Sequence, residues 1–419
     1  MAEHVIGTAG SPLHALAAEG VSPWLDGPSR DRPARAAEGV RGAVSDPGAL
    51  AADAAGHDGC REQLRHLAQR AAAPDTAVLA LCAYDLRSAC DALRPVFDAS
   101  HGLDGYASMD LDARLLHDSD ATAAAAAELH RAALRDNALV KVPATAAGLT
   151  AARACLERGV GTHVTEVFSV RRHGDALDAC LDGLERARAA GRDLTHVPVC
   201  VSLAVGPLED AVDARLAALG TAEADALRGT AAQAAARLAY RAYEERLAGG
   251  RWRALARAGA RPPRLLWHVG GGHRADADGT ARVLRRVESL VAWGTGVALP
   301  ATVLDAVARA GRLRGDTLSD RHGPAHAALT RLERLGVSVE ATAATLTAHR
   351  LERLTAEWTA LRTSVTEQLL APDSSESARH GTAGAPQPAR RGTAGAPEPA
   401  RREAAGARTP ARRGRDGHP

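Results

Sequence analysis

The 419-residue chain contains one lysine, Lys141, one asparagine, Asn137, and one isoleucine, Ile6. Every other one of its 52 basic residues is therefore arginine. This depletion points to a GC-rich coding sequence that replaces lysine by arginine wherever arginine serves. A position that stays lysine then calls for a reason. Arginine cannot supply a neutral amine, because its guanidinium stays protonated, whereas a buried lysine can release its proton. Long hydrophobic runs are also missing. No stretch of about 18 uncharged apolar residues occurs, which excludes a spanning helix. The first twenty residues carry Glu3, His4 and Glu19 without a continuous apolar core, so no secretory signal is expected. A net charge of +2 argues for neither a nucleic-acid partner nor a membrane surface. The six cysteines lack metal-ligand spacing, and buried reduced thiols in a cytoplasmic protein are the expectation.

What is present is an alternation. With 46% hydrophobic and 24% charged residues, the chain can bury one large core. Short apolar runs at 21–25, 42–45, 105–111, 138–142, 163–167, 197–203, 264–269 and 296–299 read as strands. Between them, segments such as 121–135, 149–158, 173–190 and 209–218 carry apolar residues at helical spacing. Eight strand–helix units over this length predict an α/β fold, a closed (β/α)8 TIM barrel. Residues 301–371 add C-terminal helices, including 325–335 and 341–367, expected on the barrel exterior. From 372 the chain becomes rich in Arg, Gly, Pro and Ala, with two near-copies of one unit at 381–391 and 392–402. Such a basic tail buries too little apolar surface to offset its ordering entropy and is expected to be disordered.

Catalytic groups of a parallel barrel sit at the C-terminal ends of its strands. That rule selects Asp26, Asp46, Asp110, Asp112, Lys141, Thr165 and Ser202. Lys141 lies among Leu139, Val140, Val142 and Pro143. Burial in such surroundings favours the neutral, nucleophilic amine. Nearby carboxylates would move protons during carbon–carbon bond cleavage. The reaction class suggested is a Schiff-base aldolase or transferase.

The run from Ala138 through Lys141, Pro143 and Thr145 to Leu149 resembles the active-site strand of the transaldolase family. Gly20 to Asp26 resembles the strand with the family's catalytic aspartate. Tyr84 to Pro95, followed by Asp104 to Ser108, resembles the helix and strand before its catalytic glutamate. Val164 to Ser169 resembles the threonine-bearing strand, while Arg237 to Glu245, Leu299-Pro300 and Gly315 to Thr317 resemble later segments. The resemblance runs in order over about residues 11–368 and is to the longer bacterial branch. It implies a retro-aldol mechanism in which Lys141 forms an imine with a ketose and Asp26 takes the C4 hydroxyl proton. A dihydroxyacetone unit then passes to an aldehyde acceptor. Thr165, with the carboxylate after strand 3, would hold the water of imine formation. Neither a metal nor an organic cofactor is implied. Sugar and sugar-phosphate substrates and a homodimer are the expected partners, and nucleic acid and membrane are not.

The sequence departs from the family pattern at the substrate. Asp110 stands at the glutamate position, one methylene shorter, and misplacement of about an ångström can cost on the order of 100-fold in rate. Asp46 replaces an amide in the segment after strand 2, and His163 replaces the asparagine of the threonine strand. Gly206-Pro207 stands where the family places Ser-Arg for phosphate. The later phosphate segment reads Val269, Gly270, Gly271, Gly272, His273, with Arg274 next, and Val297-Ala298 replaces an Asn-Thr pair. A lost charge-assisted bond to phosphate is worth about 1.5–3 kcal/mol. His273, Arg274 and the backbone of 270–272 are the candidates to replace it. Asp46, His163, Ser202, His273 and Arg274 are thus the expected substrate-binding residues. Two alternatives remain open: a divergent aldolase for a specialised or unphosphorylated sugar, and an inactive barrel used as a binding protein.

Overall fold

The computed structural model describes residues 12–27, 39–270, 277–310 and 315–371. Eight parallel strands close in sequence order into a barrel: β1 (Val21–Asp26), β2 (Gly42–Val44), β3 (Tyr106–Asp110), β4 (Ala138–Pro143), β5 (Thr162–Thr165), β6 (Val199–Leu203), β7 (Arg264–His268) and β8 (Thr295–Pro300). All eight fall within the expected runs to within two residues. Ile6, His273, Arg274, Gly271, Gly272 and the 372–419 segment lie outside the described residues.

Strand alternation divides the apolar residues between two cores. Met109, Val140, Val142, Val164, Val201, Leu265, Trp267, Val297 and Leu299 point outward and join the core beneath the helical layer. Trp24, Val44, Tyr106, Leu139, Cys200, Leu266 and Ala298 fill the barrel interior. The same parity turns Asp26, Asp110, Lys141, His163, Thr165, Ser202 and His268 inward. The indole of Trp24 explains Gly42 on the neighbouring strand, since a Cβ there would lie 2.3 Å from the ring. The lone asparagine has a scaffold role. Asn137 is fully buried and donates from Nδ2 to the carbonyls of Cys90 at 2.9 Å and Gly105 at 2.7 Å, tying the starts of β3 and β4 to the helix Pro74–Ala92.

The helical segments are longer than expected at their N-termini. The helix after β6 is Val205–Leu219, so Gly206 and Pro207 lie in its first turn rather than in a loop. Proline is tolerated there because the first N–H groups of a helix have no intrahelical partner. The C-terminal helix Val339–Leu370, capped by Ser338, is the exterior helix expected over 341–367. It packs against the helices Pro47–Gly56, Asp58–Gln69, Pro74–Ala92 and Val205–Leu219, and its Ala343 packs with Phe168 and Ala204 beyond β5 and β6. It therefore covers the outer helices and also roofs part of the catalytic end of the barrel. No described helix is long and apolar enough to cross a membrane.

Candidate active site

Register brings the central groups together. Asp110 of β3 pairs with Lys141 of β4, and Lys141 pairs with His163 of β5. Side chains at paired positions of a parallel sheet share a face, so these three converge inside the barrel. Lys141 Nζ donates to Asp110 Oδ2 at 2.9 Å and to the Ser45 carbonyl at 2.5 Å. The two side chains are only 11% and 5% exposed, so the pair is largely shielded from solvent. The shorter Asp110 thus reaches the amine directly. Burial pushes the Asp110 carboxyl above its ordinary range and Asp46 adds to this, while Lys141 and Arg350 oppose it.

Asp26 ends β1 on the opposite wall. Its Oδ2 lies 3.6 Å from Nδ1 of His268, the last residue of β7. Thr165 closes β5, is 7% exposed and faces Pro143 across the register. Ser202 Oγ donates to the Val164 carbonyl at 3.4 Å and is buried. His163 lies deeper. Its Nδ1 is 3.1 Å from Ser108 Oγ, its ring packs edge-on against Trp24, and its buried Nε2 has no hydrogen-bond partner. Burial, with the nearby charges of Lys141 and His268, holds the His163 ring well below its usual titration range, so it is neutral. Asp46 caps the helix Pro47–Gly56, accepting from the Ala49 N–H at 2.7 Å, with Pro47 in the first turn. One of its oxygens is thereby committed to the scaffold.

The departure at Gly206 has a packing cause. A Cβ at that position would stand 2.3 Å from the Val269 carbonyl oxygen. Arg286, from the helix Ala277–Glu288, is buried beneath this corner. It donates to Glu209 at 2.5 Å, to Asp210, and to the Val269 carbonyl at 3.3 Å.

Four residues at this end were not singled out by the sequence: His268, Glu166, Arg350 and Glu357. His268 obeys the strand-end rule once β7 stops one residue earlier than expected. Glu166 follows β5 with φ +57°, and Arg350 Nε lies 3.4 Å from its Oε1. Arg350 Nη1 donates to Glu357 at 2.9 Å. Among the described residues no group of three or more His, Cys, Asp or Glu could hold a metal ion. The arrangement offers a shielded amine, a carboxylate in contact with it, and a second carboxylate across the mouth. Those are the groups that imine formation and proton transfer require.

The family model described as transaldolase/fructose-6-phosphate aldolase matches residues 23–365. The chain belongs to this family. It is 41% identical over 369 residues to the transaldolase of Thermobifida fusca, covering 86% of this chain and 99% of that one. Transaldolase 1 of Streptomyces coelicolor is 42% identical over 369 residues, covering 86% and 96%. The transaldolase of Mycobacterium marinum is 39% identical over 366 residues, covering 85% and 97%. The enzyme class is that of a transaldolase, on the barrel its sequence resembles.

Proposed function

We propose that this transaldolase moves a dihydroxyacetone unit from a ketose of the sedoheptulose 7-phosphate or fructose 6-phosphate class to an aldose, in pentose phosphate metabolism. Lys141 carries the unit as a Schiff base. The observation supporting this reading is the shielded contact between Lys141 Nζ and Asp110 Oδ2 at 2.9 Å, inside the ring that also presents Asp26. The neutral amine attacks the ketose carbonyl, and one of its protons, with one returned through Asp110, passes to the carbonyl oxygen, which leaves as water while the nitrogen keeps one proton as a protonated imine. Asp110, with Thr165 beside it, serves that transfer. Asp26 accepts the C4 hydroxyl proton as the C3–C4 bond breaks, and the electron pair goes into the imine as an enamine. The acceptor aldehyde then takes the pair back, forming the new bond. A cytoplasmic location and a homodimeric assembly belong to the same proposal and rest on composition and resemblance.

A second reading has an observation of its own. At the corner where the resemblance places a phosphate ligand, Gly206 and Pro207 supply no cationic side chain, and Gly206 has no room for one. A specialised or unphosphorylated sugar would suit such a site. Borohydride reduction with fructose 6-phosphate and, separately, dihydroxyacetone, followed by peptide mass mapping, tests both. The expected result is a reduced adduct on Lys141 with each donor, lost in Lys141→Arg. An adduct with dihydroxyacetone alone would favour the second reading. No adduct from folded protein with either donor would remove the mechanism for them and favour an inactive barrel.

A further inference from the structure

The acidic cluster under the C-terminal helix holds a carboxylate that the mechanism above does not use. Glu166 immediately follows Thr165, and its left-handed backbone is sparsely populated by non-glycine residues, so the surrounding structure must enforce it. The strand Thr162–Thr165 would otherwise carry this side chain outward. Glu166 is instead only 11% exposed and meets Arg350, whose Nε is 3.4 Å from Oε1. Arg350 is in turn fixed by Glu357 at 2.9 Å, and Arg353 lies 3.3 Å from the other oxygen of Glu357. Glu357 sits against the helix capped by Asp46, with its Cγ 3.8 Å from where a Cβ on Gly48 would stand. A strained turn, a shielded carboxylate and a braced guanidinium thus meet directly after Thr165, at the end of the barrel that holds the Asp110–Lys141 pair.

We propose that Glu166 holds the proton that the Asp110–Lys141 pair must give up before the amine can attack, and that Arg350 positions it for this. The inference rests on the Schiff-base reading of Lys141. Glu166 acts through Asp110 and is a positioning residue. The proton leaves Nζ for Asp110 Oδ2 and passes through water in the mouth to the Glu166 carboxylate. The amine is then neutral, Asp110 ionised and Glu166 protonated. When the new carbon–nitrogen bond has formed, the same proton returns along that path to the departing oxygen. Nitrogen loses two protons, oxygen gains two, and Glu166 ends as it began.

The charged groups that act on Glu166 are Arg350, in contact with it, and Glu357 from the C-terminal helix, Asp110 from β3 and Lys141 from β4. Burial pushes its carboxyl up to about 7, Asp110 and Glu357 add to the rise, and Arg350 and Lys141 hold it back. A carboxyl poised near neutrality can both take and return a proton.

The test is the pH dependence of kcat/KM and of borohydride trapping by dihydroxyacetone, with the adduct mapped to Lys141. The wild type should show a limb rising with pH and centred near 7. In Glu166→Gln that limb should vanish, with kcat falling roughly 10²-fold. Glu166→Gly should lose the limb likewise, and it keeps the test open if Gln does not fold, because glycine accepts the left-handed turn. Arg350→Gln should move the limb to higher pH by about one unit, since a cation that favours the ionised carboxylate has gone. Glu166→Asp should retain a limb at a shifted pH. An adduct on Lys141 whose profile is the same in wild type, Glu166→Gln and Glu166→Gly would overturn the role of Glu166 and leave the Schiff base standing. Absence of any adduct in the wild type would remove the Schiff base, and this role with it.

Discussion

Arg286 and Arg350 are each held between two carboxylates, on different sides of one barrel mouth, and the contrast between them separates scaffold from chemistry. Arg286 is 3% exposed, makes close contacts with both Glu209 and Asp210, and also holds the Val269 carbonyl at the end of β7. It locks the β7 end to the helix after β6. Arg350 is 22% exposed, and its contact with Glu166 is the longer one at 3.4 Å. A sealed guanidinium with short contacts fixes geometry, because removing any partner strands a buried charge. A partly exposed one with a longer contact leaves its carboxylate free to change protonation. The Arg286 side carries the substrate-facing departures at Gly206 and Pro207, while the Arg350 side carries Lys141, Asp110 and Thr165.

Breaking the two clusters should therefore give different losses. Arg286→Met leaves Glu209 and Asp210 facing each other in a dry corner, and the expected cost is about 3–5 kcal/mol of stability. For a domain of this size that lowers the melting temperature by about 5 °C. Arg350→Met should cost only about 1 kcal/mol, since its site is partly solvated. Thermal denaturation of both variants checks the ordering. Equal losses would mean that Arg350 is also a scaffold element.

The pH dependence of stability sharpens the contrast further. Glu166 titrates near 4.5 in an unfolded chain and about 7 in the fold. Between those values the folded state keeps a proton that the unfolded chain has released. Its contribution is therefore full below pH 4.5 and is lost as pH rises through 7, at about 1.4 kcal/mol per unit. Glu166→Gln should gain on the wild type by up to about 3 kcal/mol across that interval. His173 has the opposite sign. It is fully buried with neither ring nitrogen partnered, and burial lowers it from 6.5 to about 3. Its contribution is present above pH 6.5 and lost as pH falls. His173→Leu should then outlast the wild type by about 2 kcal/mol at pH 5 and show no such gain at pH 7. Urea unfolding at pH 5, 6 and 7.5 reads both slopes, and a pH-independent difference for either variant would refute its assignment.

These residues also mark where the sequence stops being informative. Lys141 was legible because it is unique and sits in an apolar strand, and Asp26, Asp110, Thr165 and Ser202 because they end strands. The Asp46-Pro47 pair carries a helix-start signal, and the structure uses it so. Glu166 was hidden because the expected strand ran to 167, which places it on the outer face, and only a left-handed turn redirects it. Arg350 and Glu357 lie in a helix near the end of the sequence, where charged residues ordinarily face solvent. No local pattern says that this helix roofs the mouth, since most of its contacts are made with distant segments.

A last expected effect concerns the Arg286 side alone. Pro207 occupies the first turn of the helix after β6 and is partly exposed, and its ring contributes neither charge nor donor. Pro207→Arg places a guanidinium at the corner that Arg286 braces without disturbing Gly206, whose close approach to Val269 must be kept. A recovered charge-assisted bond to phosphate is worth about 1.5–3 kcal/mol, so KM for fructose 6-phosphate should fall roughly tenfold or more. The kinetics with dihydroxyacetone, which has no phosphate, should not change. That split would locate the phosphate end of the substrate at this corner and separate anchoring from covalent chemistry. An unchanged KM would mean that the donor lies elsewhere, or that its natural form carries no phosphate for an arginine to hold. A matching fall with dihydroxyacetone would mean that the variant altered the mouth as a whole.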